Sequence, residues 1–414
     1  MENEHSPEPK IILVTMDRLE GVVKFIRSDR KEATLPLEFD NPEAGSRIAS
    51  ITYSPAIFAV LIKTVFDDEI LAELPTPDLL DHANGRPVVY LDQKDWSNIS
   101  KSIYSPERVP GNELEAAREL IEMAEAGKII LPMSAAHMSE TCKWTSDTAR
   151  YQHGLTLARL SRGWQMRDPL EVRRFELQMA FRSRFTNAEE QPLNVFTLEP
   201  GAIHSKRTED DPGKDDAPDT GEPLPEPYRF MADALTAVSA NFDTLLDTEA
   251  VPMNGVDEWV SRLQSFTDWL ASEPSGPELR RQRIDLFFIS DTRKEVAEEA
   301  FKSGITIENF HEWLMTHRQV DVKNMPSLSL FNEVLYEKFS NPKTNWSNND
   351  LTDLMYLTCA AGYADFTVAE RSLVSQLQSS ARRLNRKLKV YRRLCDLLPD
   401  LRMAVNDSED EASA

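Results

Sequence analysis

Cysteine and histidine are scarce in this chain of 414 residues. Its three cysteines, Cys142, Cys359 and Cys395, form no CxxC pair, and their odd number excludes a fully paired internal disulfide framework. That usage favours a reducing compartment. The seven histidines form no HExxH motif and no cluster with cysteine, so a structural zinc site is not expected.

Long apolar runs are also missing. The longest, AIFAVLI at 56–62, is far too short to cross a bilayer. The acidic, proline-bearing start MENEHSPEPK resembles neither a signal peptide nor a transit peptide. The chain has no GxSxG segment, the usual setting of a hydrolase nucleophile. We therefore expect a cytoplasmic protein with no membrane partner.

Basic residues are outnumbered by acidic ones, 47 against 69, and the formal net charge is −22. Such a charge argues against a passive nucleic-acid coat. Part of it is concentrated in two polar segments: 207–226 holds eight acidic and two basic residues, and 406–414 holds four acidic residues. Some of the remaining acids are available for a site, where a bound metal would neutralise them.

Strands and helices alternate in two separate parts of the chain. VVYLD at 88–92 and KIILPMS at 128–134 have the pattern of buried strands, and 113–127 has the 3.6-residue apolar spacing of a helix. The same alternation returns after 346, with a capped helix, the strand ADFTVAE, a further helix and a last strand. This order predicts an α/β fold with a central parallel sheet.

The predicted domain boundaries follow from this alternation. Residues 86–160 and 346–404 would form one α/β domain, split by a mainly helical insertion at 161–345. Inside the insertion, 205–227 is expected to be a disordered acidic, proline-rich loop. The accessory region at 1–85 is predicted as α+β: it holds three short strand patterns, and periodicity does not decide whether AIFAVLIKTVF is a strand or a buried helix. Residues 405–414 are predicted to be a disordered acidic tail.

Acidic residues recur at strand ends and helix starts of the predicted sheet. Ligands of open α/β sheets bind at the edge where parallel strands end and helices begin. Carboxylates gathered there would raise one another's pKa, and hard divalent cations relieve that repulsion. Mg²⁺ or Mn²⁺ bound there would suit phosphodiester hydrolysis. The candidate residues are Asp92, Glu140, Asp350, Asp353, Asp365 and Glu370.

Each acid also has a simpler interpretation when taken alone. Asp92 could form a turn, and Glu140 could be a solvated helix acid. Asp350 could favour the positive end of the helix dipole. Asp365 could bind a backbone amide in a turn. The functional reading depends on all of them meeting at one edge.

These motifs together resemble the PIN and PIN-like nuclease superfamily. VYLDQKDW is similar to the YLDQN-x-W opening of a bacterial PIN-like subgroup, and LPMSAAHMSET is similar to its Ser/His/Glu segment. The later N-D-x-x-D and V-x-E elements continue the order. The resemblance covers roughly 86–160 and 346–400. Two positions depart from the pattern: Lys94 stands where the subgroup usually has Asn, and Glu370 replaces the more frequent Asp.

The resemblance implies an endonuclease that cleaves RNA with Mg²⁺ or Mn²⁺. Asp92, Glu140, Asp353 and Glu370 would be its catalytic acids, with Asp350 and Asp365 as further metal ligands. Ser134, His137 and Lys94 are predicted to face the substrate, although Ser134 could be a helix cap and His137 a satisfied structural histidine.

A basic segment at 381–393 is the candidate phosphate-contacting strip in this acidic chain. Its leading members are Arg382, Arg383 and Arg386. The alternative is a solvated helix face, or a patch paired with the acidic loop. A protein partner such as an antitoxin-like regulator and a homo-oligomer are further expectations from the resemblance.

Two other functions fit the same residues. The chain could be a catalytically inactive PIN-like scaffold that binds RNA or protein, because an ammonium at Lys94 could take the metal's place. It could also be a metal-dependent phosphohydrolase acting on nucleotides.

Overall fold

A computed structural model describes residues 9–36, 46–76, 82–186, 193–199, 201–204, 226–246 and 257–413, with the side chains of 226–234 and 409–413 excepted. Within these residues the protein is mixed α/β and mostly helical. The predicted loop at 205–227 lies almost entirely outside them. None of the described helices is both long and apolar enough to span a bilayer.

The N-terminal region is an antiparallel sheet of six strands in the order β3-β2-β1-β4-β5-β6. Buried and exposed residues alternate along β5 and β6, as expected when one face of a sheet packs on a core. The regular elements in the described part of this region are all strands, so the helical part of the predicted α+β region is not seen there. AIFAVLIKTVF contributes β5. The strands are β1 (Ile11–Asp17), β2 (Val22–Arg27), β3 (Glu32–Pro36), β4 (Ile48–Ser54), β5 (Ala59–Thr64) and β6 (Glu69–Glu73).

A small parallel sheet forms the second structural unit, in the order β11-β10-β7. Its strands are β7 (Val89–Leu91), β10 (Phe366–Val368) and β11 (Val390–Tyr391). The predicted strand at 128–134 is reduced to two parallel bridges, from Ile130 to Val88 and from Met133 to Gln165. Gln165 begins β8 (Gln165–Met166), which pairs with β9 (Phe196–Thr197). The predicted insertion at 161–345 therefore also contains strands.

Fourteen α-helices pack around the sheets in the described residues. Those of the first half are α1 (Gln93–Tyr104), α2 (Gly111–Glu125), α3 (Ala135–Cys142), α4 (Asp147–Ser161), α5 (Pro169–Phe185), α6 (Glu226–Leu246) and α7 (Asp257–Ser272). Those of the second half are α8 (Pro277–Lys302), α9 (Ile307–Glu312), α10 (Arg318–Asn324), α11 (Pro326–Ser340), α12 (Asn348–Tyr363), α13 (Arg371–Leu384) and α14 (Leu394–Ser413).

Helix α14 corrects the predicted disordered tail. It continues to Ser413, through the acidic residues that suggested disorder. Leu401 and Val405 on this helix are buried in the same core as the N-terminal sheet. Apolar burial at these positions stabilises a helix that the composition of 405–414 alone does not favour.

The parallel sheet lies between two apolar cores. In β7, Val89 and Leu91 belong to the core shared with the N-terminal sheet, whereas Tyr90 belongs to the core of the helical region. Successive side chains of a strand point to opposite faces, so this division places one core on each face of the sheet. Burial on both faces explains why the strand reads as a continuous apolar run.

Candidate functional site: four carboxylates at one edge of the parallel sheet

Asp92 lies where β7 ends and α1 begins. Its backbone amide donates to the carbonyl of Val368 at 3.0 Å, which pairs the ends of β7 and β10. Its carboxylate accepts hydrogen bonds from the backbone amides of Gln93, at 2.8 Å, and of Glu370. Asp92 and Glu370 therefore occupy neighbouring strand ends at the same edge of the sheet.

Buried hydrogen bonds of His137 and Ser134 hold Glu140 near that edge. His137 Nε2 donates to the carbonyl of Leu91 at 2.8 Å, and its Nδ1 accepts from the Ser134 amide at 3.1 Å. Ser134 caps α3, and its hydroxyl lies 2.9 Å from that of Tyr90. Glu140 lies three residues after His137, on the same side of the helix.

These contacts correct the substrate-facing roles predicted for Ser134 and His137. Both side chains are buried and their hydrogen-bonding groups are occupied by protein atoms. Burial lowers the pKa of His137 to about 3, so the ring is neutral at physiological pH. Both residues position α3 against β7.

Asp353, from the second half of the chain, lies near Asp92 and Glu140. It lies on α12, whose first turn is fixed by Ser347 as N-cap and by a capping box with Asp350. Burial and the charges of Asp92 and Glu140 raise the pKa of Asp353 to about 7.

The four acids Asp92, Glu140, Asp353 and Glu370 are all electrostatic neighbours. Each of the six possible pairs interacts through its charges. Burial raises the pKa of Asp92 and of Glu140, and the neighbouring carboxylates raise it further. Elements up to 278 residues apart in the chain thus place four carboxylates at one edge of the sheet. Grouped carboxylates with raised pKa values, such as Asp92, Glu140 and Asp353, are common at functional sites.

The donor set fits a hard divalent cation, because every member offers carboxylate oxygens. The side chains are not arranged as a closed ligand cage, however. Among the residues that the structure describes, no three His, Cys, Asp or Glu side chains are grouped closely enough to hold one metal ion. The chemistry of the donors therefore suits a hard cation, but the positions of the described side chains do not form a site for it.

Asp365 lies away from this group. It precedes β10, whereas Glu370 follows it, so the two acids lie at opposite ends of the strand. Its carboxylate accepts from the Val88 amide at 2.8 Å, at the start of β7. The predicted metal-ligand role of Asp365 is therefore wrong, and its simpler reading as a backbone-binding acid is correct.

Asp350 has a protein partner for its charge. Its carboxylate forms an ion pair with Lys338 and accepts hydrogen bonds from the amide and hydroxyl of Ser347. Burial acts to raise its pKa, but these bonds outweigh burial and hold the pKa below its usual value. The negative charge of Asp350 is one of the charges that raise the pKa of Asp353.

In the segment 381–393, which was predicted to contact phosphate, the side chains of Arg383 and Arg386 are bonded to groups within the protein. Arg383 forms ion pairs with Glu333 and Glu337. Arg386 donates to the carbonyls of Lys323, Met325 and Pro326, and so satisfies acceptors at the end of α10. These two residues were predicted as RNA contacts, and the structure assigns them to internal packing.

Arg382 is exposed and donates to Ser379 Oγ at 3.1 Å on its own helix. It lies near the end of α13, whereas Glu370 caps the start of that helix. A helix of this length spans roughly 20 Å at ~1.5 Å per residue, which separates Arg382 from the four acids.

Other cations lie beside the acids. An open depression of about 570 Å³ is lined by Lys94, Glu370, Arg371, Ser372 and Ser375. Lys94 retains its predicted place near the site, and Arg371 is an addition that sequence reasoning missed. Its position directly after Glu370 in the sequence could have indicated that it lies beside the site. Cations and hydroxyls bordering the carboxylates provide donors for a phosphate backbone.

Asp95 is a second missed residue. It is fully buried on α1, and neither of its carboxylate oxygens has a hydrogen-bond partner. The Lys94 ammonium stands 3.9 Å from Oδ1. Burial, together with Asp92, Glu113 and other charges, raises the pKa of Asp95 to about 7. Its spacing three residues after Asp92, one helical turn away, was the signal in the sequence.

Comparisons of the chain with protein-family models, with curated proteins and with solved structures found no match.

Proposed function

We propose that this protein is a metal-dependent endoribonuclease with a PIN-like arrangement of its catalytic acids. The mutual coupling of Asp92, Glu140, Asp353 and Glu370 at one sheet edge carries this proposal. Their order, after β7, on α3, on α12 and after the adjacent parallel strand β10, is the order that the resemblance implies. Many unrelated activities occur on parallel α/β folds, so the proposal depends on the site residues as well as on the fold.

Mg²⁺ or Mn²⁺ held by these carboxylates would stabilise negative charge on the phosphate as the phosphodiester is hydrolysed. The residues themselves supply proton transfer and substrate binding. Asp353 has its pKa raised to about 7 by burial and the neighbouring carboxylates before any cation binds, and it would be ionised beside a bound cation. It can accept a proton from the attacking water as the bond from phosphorus to the leaving ribose oxygen breaks.

Lys94 and Arg371 would hold the RNA backbone in the adjacent depression. Both are exposed, and they flank Glu370 at the edge where the acids meet. Contacts to phosphate oxygens fix the position of a strand without reading its sequence. The proposed substrate is therefore RNA whose backbone can lie across this open edge.

The test compares the purified wild type with Asp92→Asn and Asp353→Asn. Labelled single-stranded and structured RNA would be incubated with Mg²⁺, Mn²⁺ or EDTA. We expect metal-dependent cleavage that falls at least about a hundredfold in both variants, since general acid–base residues contribute roughly 10²–10⁴ in rate.

Asp365→Asn is the matched control, because it removes an acid of the same sheet while leaving an oxygen to accept from Val88. Its cleavage rate should equal that of the wild type. Circular dichroism and thermal unfolding would show that each variant is folded. A wild type that does not cleave RNA, or asparagine variants that cleave as fast, would overturn the proposal.

Arg371→Ala tests the path of the substrate in the same assay. We expect a higher KM and a weaker salt dependence with little change in kcat, because one phosphate contact is lost. Arg382→Ala, at the other end of α13, should leave KM unchanged. Equal KM effects in the two variants would contradict the proposed path.

One observation favours a second function, a non-catalytic RNA- or protein-binding scaffold. The positive charge of Lys94 acts on both Asp92 and Asp95, so the chain itself supplies a cation near the acids. Calorimetric titration with Mn²⁺ separates the two functions. A scaffold would give no site-specific heat, whereas the nuclease would give heat that Asp92→Asn abolishes.

A further inference from the structure

A separate cavity lies within the helical region, between α8, α10, α11 and α13. Its volume is about 590 Å³, within the range of roughly 300–1,000 Å³ found for small-molecule sites. None of the four acids at the sheet edge lines it. The cavity therefore requires an explanation of its own.

The positive charges of two arginines in the cavity wall are already paired with carboxylates. Arg281 donates to Glu333 at 2.6 Å and to Asp285 at 3.1 Å, and Arg383 also binds Glu333. Both guanidinium groups lie over the ring of Tyr336, at 4.5 and 5.6 Å from its centre. These contacts fix one side of the cavity and leave little charge there for a ligand.

Arg318 and Lys323, both on α10, differ from these two arginines because their side chains have no bonded partner in the described part of the chain. Within the described residues, neither side chain makes a hydrogen bond or an ion pair. Arg318 Nε is buried without an acceptor, which is unfavourable for a hydrogen-bond donor. The acid that acts on Arg318 through its charge is Asp285, which already accepts from Arg281. The cavity thus presents two cations that form no ion pair with the described residues: Arg318, whose Nε is buried, and the exposed Lys323. The carboxylate of Glu278 lies on the same wall.

The rest of the wall offers groups suited to an organic ligand. Gln282, Gln319 and Asn332 place three side-chain amides around the cavity, and Asn332 Oδ1 is buried without a donor. A smaller apolar cavity of about 160 Å³ shares Phe288 and Arg318 with the larger one. An anion bound at Arg318 would therefore have both amides and an apolar recess beside it.

The backbone next to Arg318 is irregular. The turn Trp313–His317 is a π-helix, and α10 begins directly after it. Single π-helical turns occur frequently at functional sites, because they interrupt the regular hydrogen-bond ladder. This irregularity lies immediately before the residue whose guanidinium lacks a partner.

We propose that this cavity binds a nucleotide. Arg318 and Lys323 hold its phosphate, since a guanidinium and an ammonium together suit phosphate recognition. The side-chain amides of Gln282, Gln319 and Asn332 bind the edge of the base. The volume admits a mononucleotide and far exceeds that of inorganic phosphate. This site does not depend on the proposed nuclease activity.

The test is calorimetric titration of the full chain with AMP, GMP, CMP and UMP, and with inorganic phosphate. Protein carrying Asp92→Asn, in EDTA, would be used so that metal binding at the sheet edge makes no contribution. We expect at least one nucleotide to bind at one site, and Arg318→Gln to weaken it about tenfold or more, as loss of a charge-assisted hydrogen bond predicts.

Lys294→Gln is the control, because Lys294 is an exposed lysine of α8 that pairs with Glu298 at the surface. It should leave the affinity unchanged. Three results would overturn the proposal: no binding of any nucleotide at millimolar concentration, phosphate binding as tightly as the nucleotides, or unchanged affinity in Arg318→Gln. Thermal unfolding of the ligand-free variants would show that Arg318→Gln remains folded.

Discussion

The carboxylate of Asp95 occupies a buried position that offers it no hydrogen-bond donor. A buried charge without a partner is costly, and a carboxyl group responds by binding a proton. Its pKa of about 7 means that this group changes its charge within the physiological range. The free energy of unfolding must then depend on pH through this residue.

The direction of that dependence follows from the raised pKa. Folding favours the protonated form of Asp95, so its stabilising contribution is complete below the usual aspartate pKa of about 4 and is lost as pH rises through about 7. Asp95→Asn removes the titration while preserving the shape of the side chain. We expect the wild type to lose up to ~4 kcal/mol more stability than this variant between pH 4 and pH 8.

Urea unfolding at several pH values, in EDTA, measures this difference. Glu115→Gln on the exposed face of α2 is the control, and its pH profile should follow that of the wild type. Parallel profiles for the wild type and Asp95→Asn would show that Asp95 is not the titrating group.

Sequence reasoning identified the acids that share one edge but not the surroundings of each. Asp92 and Glu370 follow parallel strands, and that topology can be read from the pattern. Asp365 precedes its strand, so the same rule could have excluded it. Asp95 looked like an ordinary acid in the first turn of a helix. Its burial depends on packing that brings Glu113 and other distant residues close, which local sequence does not reveal.

At the scale of elements, α11 and α12 approach each other unusually closely. A Cβ placed on Gly362 of α12 would lie 2.8 Å from the carbonyl carbon and oxygen of Pro326, at the start of α11. Real Cβ atoms do not approach backbone atoms to this distance, so the glycine permits the contact. Glu176 reinforces the same junction by accepting from the amides of Ser327 and Leu328.

Gly362→Ala should therefore force α11 and α12 apart. We expect a loss of about 1–3 kcal/mol in unfolding free energy, the usual cost of overpacking. Because Asp353 lies on α12, the nuclease reading also predicts slower RNA cleavage in the folded variant. Chemical denaturation and the cleavage assay measure the two effects.

Gly111→Ala is the matched control. Nothing lies within 4 Å of a Cβ at that position, and the backbone conformation there is ordinary. This change should be neutral or stabilise the protein by up to about 1 kcal/mol, because alanine restricts the unfolded chain. Equal destabilisation in both variants would contradict the role assigned to Gly362.

Among the elements, helices with regular apolar spacing were predicted well. α2, α12 and α13 lie where periodicity and capping residues placed them. Ser347 or Asn348 could have capped α12, and the structure has Ser347 as the cap. The prediction failed where burial by distant partners decides the structure. The charges of Arg383 suggested RNA contact because no local pattern indicates that Glu333 and Glu337 neutralise it.

At the scale of the molecule, Glu73 joins the N-terminal sheet to the α/β region. Its carboxylate accepts from Arg86, from Arg162 at 3.0 Å and from the indole of Trp164 at 3.1 Å. Its backbone amide also donates to the carbonyl of Arg162. Burial acts to raise the pKa of Glu73, but these donors outweigh burial and hold the pKa below its usual value.

Glu73→Gln should destabilise the protein at neutral pH by about 1–3 kcal/mol, because the two arginines lose a partly buried counter-charge. The folded pKa of Glu73 is lowered, so its contribution is present above the usual glutamate pKa and disappears as pH falls through the folded value. The difference between wild type and variant should therefore shrink in acid.

Urea unfolding at pH 7 and at pH 3 tests this expectation. Glu69→Gln is the control on the same strand, since Glu69 forms an exposed pair with Lys63 and exposed pairs contribute little. A difference that is equally large at both pH values would assign the effect of Glu73→Gln to packing rather than charge.

The site is divided along the chain: Asp92 and Glu140 lie in its first half, and Asp353 and Glu370 lie near its end. During synthesis, a nascent polypeptide therefore carries at most two of the four carboxylates until codon 353 has been translated, and it lacks the last one until codon 370. For the proposed nuclease, an incomplete chain would therefore lack part of its catalytic set. Truncation before residue 370 should then abolish RNA cleavage.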